Sequence, residues 1–261
     1  MKYGFIGCGN MGGALARALA KTTTDFMITD RSGKAKQLAE ELGCAYGSAE
    51  TVAAECDRIF LGVKPHMMKG VLEPLIPILQ QRSPTLISMA AGLSMGQIES
   101  FAGGGIPVIR IMPNTPVSVG KGIILYCANS MVEERVLEEF LTDMAPAGRL
   151  DALDENLMDA GSALSGSGPA YVYMFIEAMA DGAVACGIPR AKAIAYAAAT
   201  LSGAAEMVLS SGQHPGALKD AVCSPKGSTI AGVRALESRG FRGAVTECVC
   251  ATYERNLELG K

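Results

Sequence analysis

The sequence has few of the side chains that usually build metal centres or acid–base sites. It contains only two histidines, His66 and His214, each next to a proline, so we expect both to be structural. Its eight cysteines are scattered, without a CxxC pair or a cluster with histidine. This spacing argues against a zinc site, and in a chain that shows no export signal it also argues against disulfides.

An excess of positive charge is missing as well. Lysine and arginine total 23 against 26 aspartates and glutamates, and the isoelectric point is about 5.5. A surface for nucleic acid or an anionic membrane needs a basic footprint that this balance does not supply. We therefore expect no nucleic-acid partner; the partner expected from the motifs described below is a small-molecule substrate.

A continuous apolar run is also absent. The longest uncharged stretch, residues 160–176, contains the helix-breaking sequence SGSGP, whereas a bilayer span needs about 20 apolar residues. The N-terminus carries one lysine and then enters a glycine-rich turn, without the apolar core of a signal peptide. We expect no membrane segment and a cytoplasmic location.

Short apolar runs alternate with helical patterns along the first part of the chain, and this rhythm indicates βαβ units with a mostly parallel sheet. Beyond residues 150–157 the chain is rich in Ala, Gly, Met and Ser and has almost no β-branched runs, which predicts helices. We predict an α/β domain over residues 1–152 and an all-helical domain over residues 153–261. The predicted strands are Tyr3–Ile6, Phe26–Thr29, Arg58–Val63, Thr85–Met89 and Val108–Met112.

One helical segment of the second domain has no polar face. Residues 195–209, AYAAATLSGAAEMVL, are apolar or small nearly all round, and such a helix is usually buried by neighbours on several sides. A domain of this size hides that surface with difficulty, so we predict an intertwined homodimer. The alternative is an alanine-rich central helix in a monomeric bundle.

The segment GFIGCGNMGGAL, residues 4–15, places three glycines as GxGxxG after a predicted strand and at the start of a helix. Gly7 permits the tight turn, Gly9 lets the backbone approach a pyrophosphate, and Gly12 allows the helix to pack on the strand. The free N–H groups of the helix start then bind the anion. This context predicts a dinucleotide site.

The end of the second predicted strand bears on the choice of cofactor. Asp30 stands where an acidic side chain normally holds the ribose hydroxyls of NAD. Arg31 and Ser32 follow at once, with Lys34 and Lys36 beyond, and an arginine at this corner binds a 2′-phosphate well. We favour NADP, with NAD as the alternative; the basic residues could equally form a solvated helix face.

Three further loops follow predicted strands at the edge where ligands bind in open α/β sheets. In the first loop, Lys64 is expected to point at the cofactor crevice, between Val63 and Pro65. In the second loop, the small residues Ala90, Ala91 and Gly92 would leave room for a flat ring. In the third loop, Asn114 and Thr115 are suited to hydrogen bonds with a nicotinamide amide or ribose. Each could be ordinary loop chemistry, but together they describe one crevice.

The segment SPKGST, residues 224–229, precedes a helical pattern marked by Ile230, Val233 and Leu236. Ser228 and Thr229 stand where an N-cap and first turn belong. Pro225 and Gly227 shape a loop whose N–H groups are expected to converge on an anion, favoured by the helix dipole. We predict a small carboxylate there, although a capped helix without a ligand is the commoner outcome for such a pair.

These residues resemble the pyrroline-5-carboxylate reductase family along essentially the whole chain. The shared motifs are GFIGCGNMG, VKPH, the AAG loop, MPNTP, LSGSGPAY, DGAVACGIPR and HPGALKDAV with SPKGSTIAGVRALE. The resemblance implies NAD(P)H-dependent reduction of the C=N bond of 1-pyrroline-5-carboxylate to L-proline, the last step of proline biosynthesis. It also implies a Rossmann-type doubly wound sheet followed by an all-α dimerisation domain, with dimers assembling further into a ring, commonly a decamer.

The same resemblance implies the site residues. The substrate carboxylate and ring would be held by Ser224, Gly227, Ser228 and Thr229, with the Thr229 hydroxyl reaching the ring nitrogen. The cofactor would contact Ile6, Gly7, Cys8, Gly9, Asn10, Met11, Asp30, Arg31, Ser32, Val63, Lys64, Pro65, Ala90, Ala91 and Asn114. The chain departs from the family pattern at Asp30, where relatives often carry Asn or Ser, at Ala221, where some carry Asn, and at Lys226, where many carry Gly.

No residue is obviously placed as a dedicated acid. We therefore hypothesise that Thr229 orients and polarises the iminium nitrogen while the product amine takes its protons from solvent. One rival, a β-hydroxyacid dehydrogenase, would need a catalytic lysine that the segment LSGSGPAYVYMF lacks. A second rival, a regulatory protein that binds NADP without chemistry, would more naturally have lost the SPKGST loop.

Overall fold

The computed structural model describes residues 1–31 and 33–259 and divides into two compact units. The first unit comprises Met1–Ser167 together with the chain from Thr252 onward, and the second comprises Gly168–Ala251. Our division of the sequence at residues 152 and 153 stays a prediction.

The first unit is built on one sheet whose strand order is β3-β2-β1-β4-β5-β6-β7-β8. The six strands from β3 to β6 in this order, including β2 and β1, are all parallel. Strand β7 is antiparallel to β6, and β8 runs parallel to β7. The order reverses between β1 and β4, and ligands of such sheets bind beyond the carboxyl ends at that point. The strands in the described residues are β1 (Tyr3–Ile6), β2 (Phe26–Thr29), β3 (Ala45–Tyr46), β4 (Arg58–Leu61), β5 (Thr85–Ser88), β6 (Val108–Pro113), β7 (Gly122–Ala128) and β8 (Gly148–Ala152).

All five predicted strands are confirmed. β1 and β2 have the predicted bounds, and β4, β5 and β6 begin at the predicted residues but end one or two residues away from the predicted ends. Strands β3, β7 and β8 were not predicted. β3 has only two residues, too few for a periodic signal. β7 returns antiparallel beside β6 after a short connection with one 3-10 turn, Thr115–Val119, because no crossover helix is needed for that direction.

Both faces of the sheet are covered, which explains why its central strands are apolar throughout. Successive side chains point to opposite faces: Phe5 and Phe60 lie in the core on one face, while Ile6, Ile59 and Leu61 lie in the core on the other. The Phe5 and Phe60 rings stack with centroids 4.3 Å apart. The helices are α1 (Asn10–Leu19), α2 (Lys34–Leu42), α3 (Ala49–Glu55), α4 (Met68–Leu72), α5 (Ile76–Arg82), α6 (Met95–Phe101), α7 (Glu134–Met144) and α8 (Met158–Ser165).

The second unit is helical, as the sequence predicted, and buries little of its own apolar surface. Only Ala180 of α9 and Ala193 and Ala197 of α10 are buried, and none of the residues of α11 or α12 is. Met174 and Leu209 remain 70% and 68% exposed. The helices are α9 (Gly168–Ala185), α10 (Arg190–Ser211), α11 (Pro215–Ala221), α12 (Ser228–Ser238) and α13 (Phe241–Leu259), the last of which ends within the first unit.

The long helix α10 corrects one expectation. By length and composition this helix is apolar enough to cross a bilayer, although it carries Arg190, Lys192 and Glu206. The expectation that the sequence contains no run long and apolar enough for a membrane span was therefore too strong. Most of its residues are exposed in the isolated chain, which does not fit the interior helix of a monomeric bundle.

The core makes a prediction about alkaline pH. Cys56 is fully buried next to Val52 and Gly4, and burial is the main cause that raises the pKa of its thiol from 9.0 to about 11. Between these values the unfolded chain has lost a proton that the folded chain keeps, so the free energy of unfolding falls as pH rises. Cys56→Ala should make this decline less steep between about pH 9 and about pH 11, measured by urea unfolding, and the part that remains comes from other thiols whose pKa burial raises, such as Cys127.

The exposed Cys250 supplies the control. Cys250→Ala should keep the wild-type dependence of the unfolding free energy on pH. If Cys56→Ala declines as steeply as the wild type, the buried thiol does not contribute to alkaline destabilisation.

Candidate active site

The carboxyl ends of β1, β2 and β4 border a cleft of about 870 Å³. These strands are neighbours on both sides of the point where the strand order reverses, so the loops that follow them meet above one edge of the sheet. The cleft is lined by Ile6, Gly7, Gly9, Thr29, Asp30, Arg31, Tyr46, Gly47, Ser48, Ala49, Glu50, Gly62, Val63, Lys64, Met67, Gly70, Val71, Pro74 and Leu75.

Three glycines hold the backbone of this edge together. The carbonyl oxygen of Gly7 lies close to both Gly12 and Gly62. A Cβ atom added to Gly12 would lie 2.3 Å from this oxygen, and a Cβ atom added to Gly62 would lie 2.2 Å from it. Gly7 itself has φ +101°, in the region that favours glycine. The sequence motif identified Gly7 and Gly12, whereas Gly62 is a contact that only the pairing of β1 with β4 creates.

Gly9 has a different role from these glycines. A Cβ on Gly9 would meet nothing within 4 Å, so its missing side chain leaves open space in the cleft. Gly9 is also the N-cap of α1, which no side chain caps, and no acceptor among the described residues takes the N–H groups of Asn10 and Met11. Such a helix end attracts anions. The residues present therefore fit the pyrophosphate of a dinucleotide.

Asp30 is tied to the same loop. Its Oδ2 accepts a hydrogen bond from the backbone N–H of Cys8 at 2.8 Å, which fixes the carboxylate at the end of β2 beside the cleft. Burial, followed by the charge of Asp30, raises the pKa of the Cys8 thiol to about 12. The Cys8 thiol is therefore neutral and unreactive at physiological pH.

Seven of the predicted cofactor residues line the cleft: Ile6, Gly7, Gly9, Asp30, Arg31, Val63 and Lys64. Cys8, Asn10, Met11 and Pro65 stand directly beside them in the chain but do not line it. Met11 packs on the core, and Pro65 begins a 3-10 turn. Lys34 and Lys36, expected to add field near a 2′-phosphate, are exposed on α2 outside the lining. Ser32 lies outside the described residues.

Ala90 and Asn114 have structural surroundings. Ala90 is buried in the core on one face of the sheet, while its neighbour Ala91 is exposed. The side chain of Asn114 is buried, with its Oδ1 accepting from the Ile123 N–H and its Nδ2 donating to the Ser165 carbonyl, both at 3.0 Å. The amide thus links the start of β7 to the end of α8. Each end of the amide therefore already makes one hydrogen bond within the protein.

The sequence reading missed the wall that follows β3. Tyr46, Gly47, Ser48 and Glu50 line the cleft there. Ser48 caps α3 by accepting from the Thr51 N–H at 3.1 Å. A serine before a helical run was available as a signal, but a two-residue strand gave no reason to place it beside the glycine loop.

In the second unit, the SPKGST loop leads directly into α12. The helix begins at Ser228 with Gly227 as its N-cap, which corrects the placement of Ser228 as the N-cap. The N–H of Gly227 is used in a turn to the Ser224 carbonyl at 3.0 Å, so the N–H groups left for an anion begin at Ser228. No side chain caps this helix, and Ser224, Ser228 and Thr229 are exposed.

The backbone of this loop explains its small residues. Lys226 has φ +61°, in the left-handed region, which is the position where the family resemblance led us to expect glycine. A Cβ on Gly227 would lie 2.4 Å from Ser224 Oγ. A side chain at Gly227 would therefore displace the Ser224 hydroxyl, and the turn accepts Lys226 at a cost in backbone strain.

Comparison with known families assigns both halves of the chain. Residues 155–259 match the family described as pyrroline-5-carboxylate reductase dimerisation. Residues 2–92 match the family described as NADP oxidoreductase, coenzyme F420-dependent.

Relatives extend this match over the full length. The pyrroline-5-carboxylate reductase of Escherichia coli (strain K12) is 41% identical over 100% of this chain and 98% of its own. The chain belongs to the pyrroline-5-carboxylate reductase family. The solved structure of the Coxiella burnetii pyrroline-5-carboxylate reductase superposes with a TM-score of 0.92 at 32% identity, covering 100% of this chain and 98% of that one. The Plasmodium falciparum pyrroline carboxylate reductase, solved with NADP bound, gives 0.88 at 33% identity over the same shares.

Membership of the pyrroline-5-carboxylate reductase family confirms the resemblance, the fold class and the enzyme class predicted from the motifs. The structural role expected for His214 is also confirmed, because its Nδ1 accepts from the Gly216 N–H at 3.0 Å and caps α11. Among the described residues, no group of three or more His, Cys, Asp or Glu side chains could hold a metal ion.

The glycine contacts predict two separable defects. Gly9→Ala should abolish dinucleotide binding, because its methyl group would project into the open space of the cleft, yet change stability by less than about 1 kcal/mol. Gly62→Ala should lose binding and also about 1–3 kcal/mol of stability, because its methyl group collides with the Gly7 carbonyl. Titration with the reduced dinucleotide and urea unfolding measure the two effects.

Gly43→Ala is the control for strain alone. Gly43 has φ +64° and open space around it, and it ends α2 outside the cleft lining. This variant should be less stable but bind normally. Normal binding by Gly9→Ala would show that the anion does not approach the backbone there.

Proposed function

We propose that this protein reduces the C=N bond of 1-pyrroline-5-carboxylate to L-proline with NADPH or NADH, the last step of proline biosynthesis. The hydride adds to the imine carbon, the C=N π bond breaks, and the nitrogen takes up a proton. The full-length family relationship supports this reaction. The bound reduced dinucleotide supplies the hydride, so the protein mainly has to bind, orient and polarise.

The observation that carries the proposal is a pair of glycine-containing motif loops, each of which leads into a helix N-terminus that no side chain caps. Helix α1 begins at the glycine loop and α12 at the SPKGST loop, and neither has a side-chain cap. Helix starts of this kind bind anions through their N–H groups and dipole. One suits the pyrophosphate of the cofactor and the other suits the carboxylate of an amino acid.

Each predicted substrate residue has a place in this scheme. The N–H groups of Ser228 and Thr229 would receive the carboxylate, the Ser224 hydroxyl lies at the edge of the same turn, and Gly227 keeps that turn open. Thr229 would orient the ring nitrogen through its hydroxyl. The loop contributes Lys226 but no carboxylic acid and no histidine, which supports solvent as the source of the proton on nitrogen.

On the cofactor side, the residues that line the cleft would hold the dinucleotide. The first turn of α1, with Gly9, Asn10 and Met11, would receive the pyrophosphate. Val63 and Lys64 would border it from the loop after β4. The remaining residues named from the resemblance, including Ala90, Ala91 and Asn114, stay proposed contacts. The sequence-based preference for NADPH depends on Arg31, Ser32 and the lysines that follow.

Thr229→Ala tests the role of the hydroxyl. It should lower kcat by roughly 100-fold, the usual effect of removing one polarising donor, and leave the dissociation constant for the dinucleotide unchanged. Thr229→Ser keeps the hydroxyl and should recover most of the activity. Steady-state consumption of NADPH or NADH with 1-pyrroline-5-carboxylate is the assay, and full activity of Thr229→Ala would remove this assignment.

The exposed apolar helices of the second unit support a homodimer. Their region coincides with the family's dimerisation match, and their large side chains are left uncovered in the isolated chain. A second copy would cover α10 with an equivalent surface, as expected for a two-fold interface. A ring of dimers, commonly a decamer, is the further assembly that the family resemblance implies, and a cytoplasmic location stays a prediction.

A charge placed on α10 tests the homodimer. Tyr196 lies in the apolar segment and is 57% exposed, so Tyr196→Glu should shift the population toward monomer because a buried carboxylate without a partner is costly. Val119, 72% exposed in the first unit, provides the control Val119→Glu, which should keep the wild-type mass. Sedimentation equilibrium distinguishes the two, and identical masses for all three proteins would exclude this face as the interface.

A further inference from the structure

The charges around the dinucleotide cleft bear on the choice between NADH and NADPH. The two cofactors differ only by a phosphate on the 2′ position of the adenosine ribose. In sheets of this kind that ribose lies beside the end of the second strand. Asp30 occupies this place, directly after β2, and lines the cleft.

The carboxylate of Asp30 is held in position rather than left to swing away. Its Oδ2 accepts the Cys8 N–H at 2.8 Å, and the side chain is half-buried. Cys8 belongs to the glycine loop, so the negative charge is fixed relative to the part of the backbone that receives the pyrophosphate. An asparagine could accept the same hydrogen bond without the charge.

Fewer basic residues line the cleft than the sequence suggested for binding a 2′-phosphate. Lys34 and Lys36 lie outside the cleft lining, which leaves Arg31 and Lys64 among the described residues. Glu50 also lines the cleft, and a hydrogen bond with Ser48 lowers the pKa of its carboxyl group. The charged side chains among the described lining residues are thus two carboxylates and two cations, so the lining has no excess of positive charge for an additional phosphate.

We propose that Asp30 makes NADH the preferred cofactor of this protein and acts as its specificity-determining residue. The proposal rests on the proposed function and reverses the preference for NADPH that the basic sequence after β2 suggested. Ribose hydroxyls donate hydrogen bonds to a carboxylate, whereas a 2′-phosphate has no proton to donate and brings like charge against it. In a partly buried site that repulsion is weakly screened.

Binding measured without the imine tests the proposal directly. Titration of the purified protein should give a dissociation constant for NADH lower than that for NADPH by about tenfold or more, which corresponds to about 1.4 kcal/mol. Asp30→Asn keeps the acceptor for the Cys8 N–H and removes the charge. It should tighten NADPH by roughly tenfold and bring the two constants together. Asp30→Ser should move the ratio in the same direction.

The opposite end of the same strand offers a matched control. Asp25 precedes β2, and its Oδ2 also accepts a backbone N–H, that of Lys2 at 3.1 Å. Asp25→Asn makes the same change in charge and hydrogen bonding away from the cleft lining and should leave the NADH to NADPH ratio at the wild-type value. An equal shift in Asp25→Asn and Asp30→Asn would overturn the proposal, because net charge alone would then explain it.

Tighter binding of NADPH by the wild type, or an unchanged ratio in Asp30→Asn, would also overturn the proposal. Its failure can be separated from failure of the proposed function by the turnover assay. Selective binding of NADH without reduction of 1-pyrroline-5-carboxylate would refute the reaction and uphold the role of Asp30. Reduction of the imine with NADPH ahead of NADH would uphold the reaction and refute the role of Asp30.

Discussion

The cofactor cleft depends on the close approach of three glycines. The Gly7 carbonyl lies between Gly12 on α1 and Gly62 after β4, at distances that leave no room for a Cβ atom on either. This contact lets the first helix start immediately above the sheet at the point where strand order reverses. Without it α1 would stand away from the strands, and its N–H groups would not face the cleft. The backbone geometry therefore comes first, and the anion site follows from it.

The two proposed binding sites use the same physical device with different loops. At α1 the glycine loop leaves the helix start open by removing side chains, and at α12 a turn through Lys226 and Gly227 presents Ser228 and Thr229 in the first helical turn. Neither site needs a metal or a strongly shifted acid. A hydride transfer to an imine mainly demands orientation and charge placement, and helix starts contribute to the second of these.

The two units differ in how they use apolar surface. The sheet unit covers both of its faces with its own helices, so its apolar strands are buried within one chain. The helical unit leaves residues such as Met174 and Leu209 uncovered. Folding of one chain thus leaves this apolar surface exposed. An exposed apolar surface of this kind agrees with the dimerisation family that matches this region.

The sequence by itself determined the central strands and the helical second half, because local periodicity and composition predict them. It also determined the glycine loop and the family, because contiguous motifs identify them. It did not reveal β3, β7 and β8, the Gly62 contact or the wall of Tyr46 to Glu50. β3 has only two residues, β8 has few apolar ones, and β7 returns antiparallel after a short connection, outside the βαβ rhythm from which the strands were predicted. The Gly62 contact and the wall depend on strand order, which brings distant segments together. Local sequence suggested cofactor roles for Lys34, Lys36 and Asn114. In the folded chain the two lysines lie outside the cleft lining. The Asn114 amide makes hydrogen bonds with the Ser165 carbonyl and the Ile123 N–H. Only the folded chain shows that Asp30 is fixed by Cys8, because that hydrogen bond joins the ends of two neighbouring strands that are far apart in sequence.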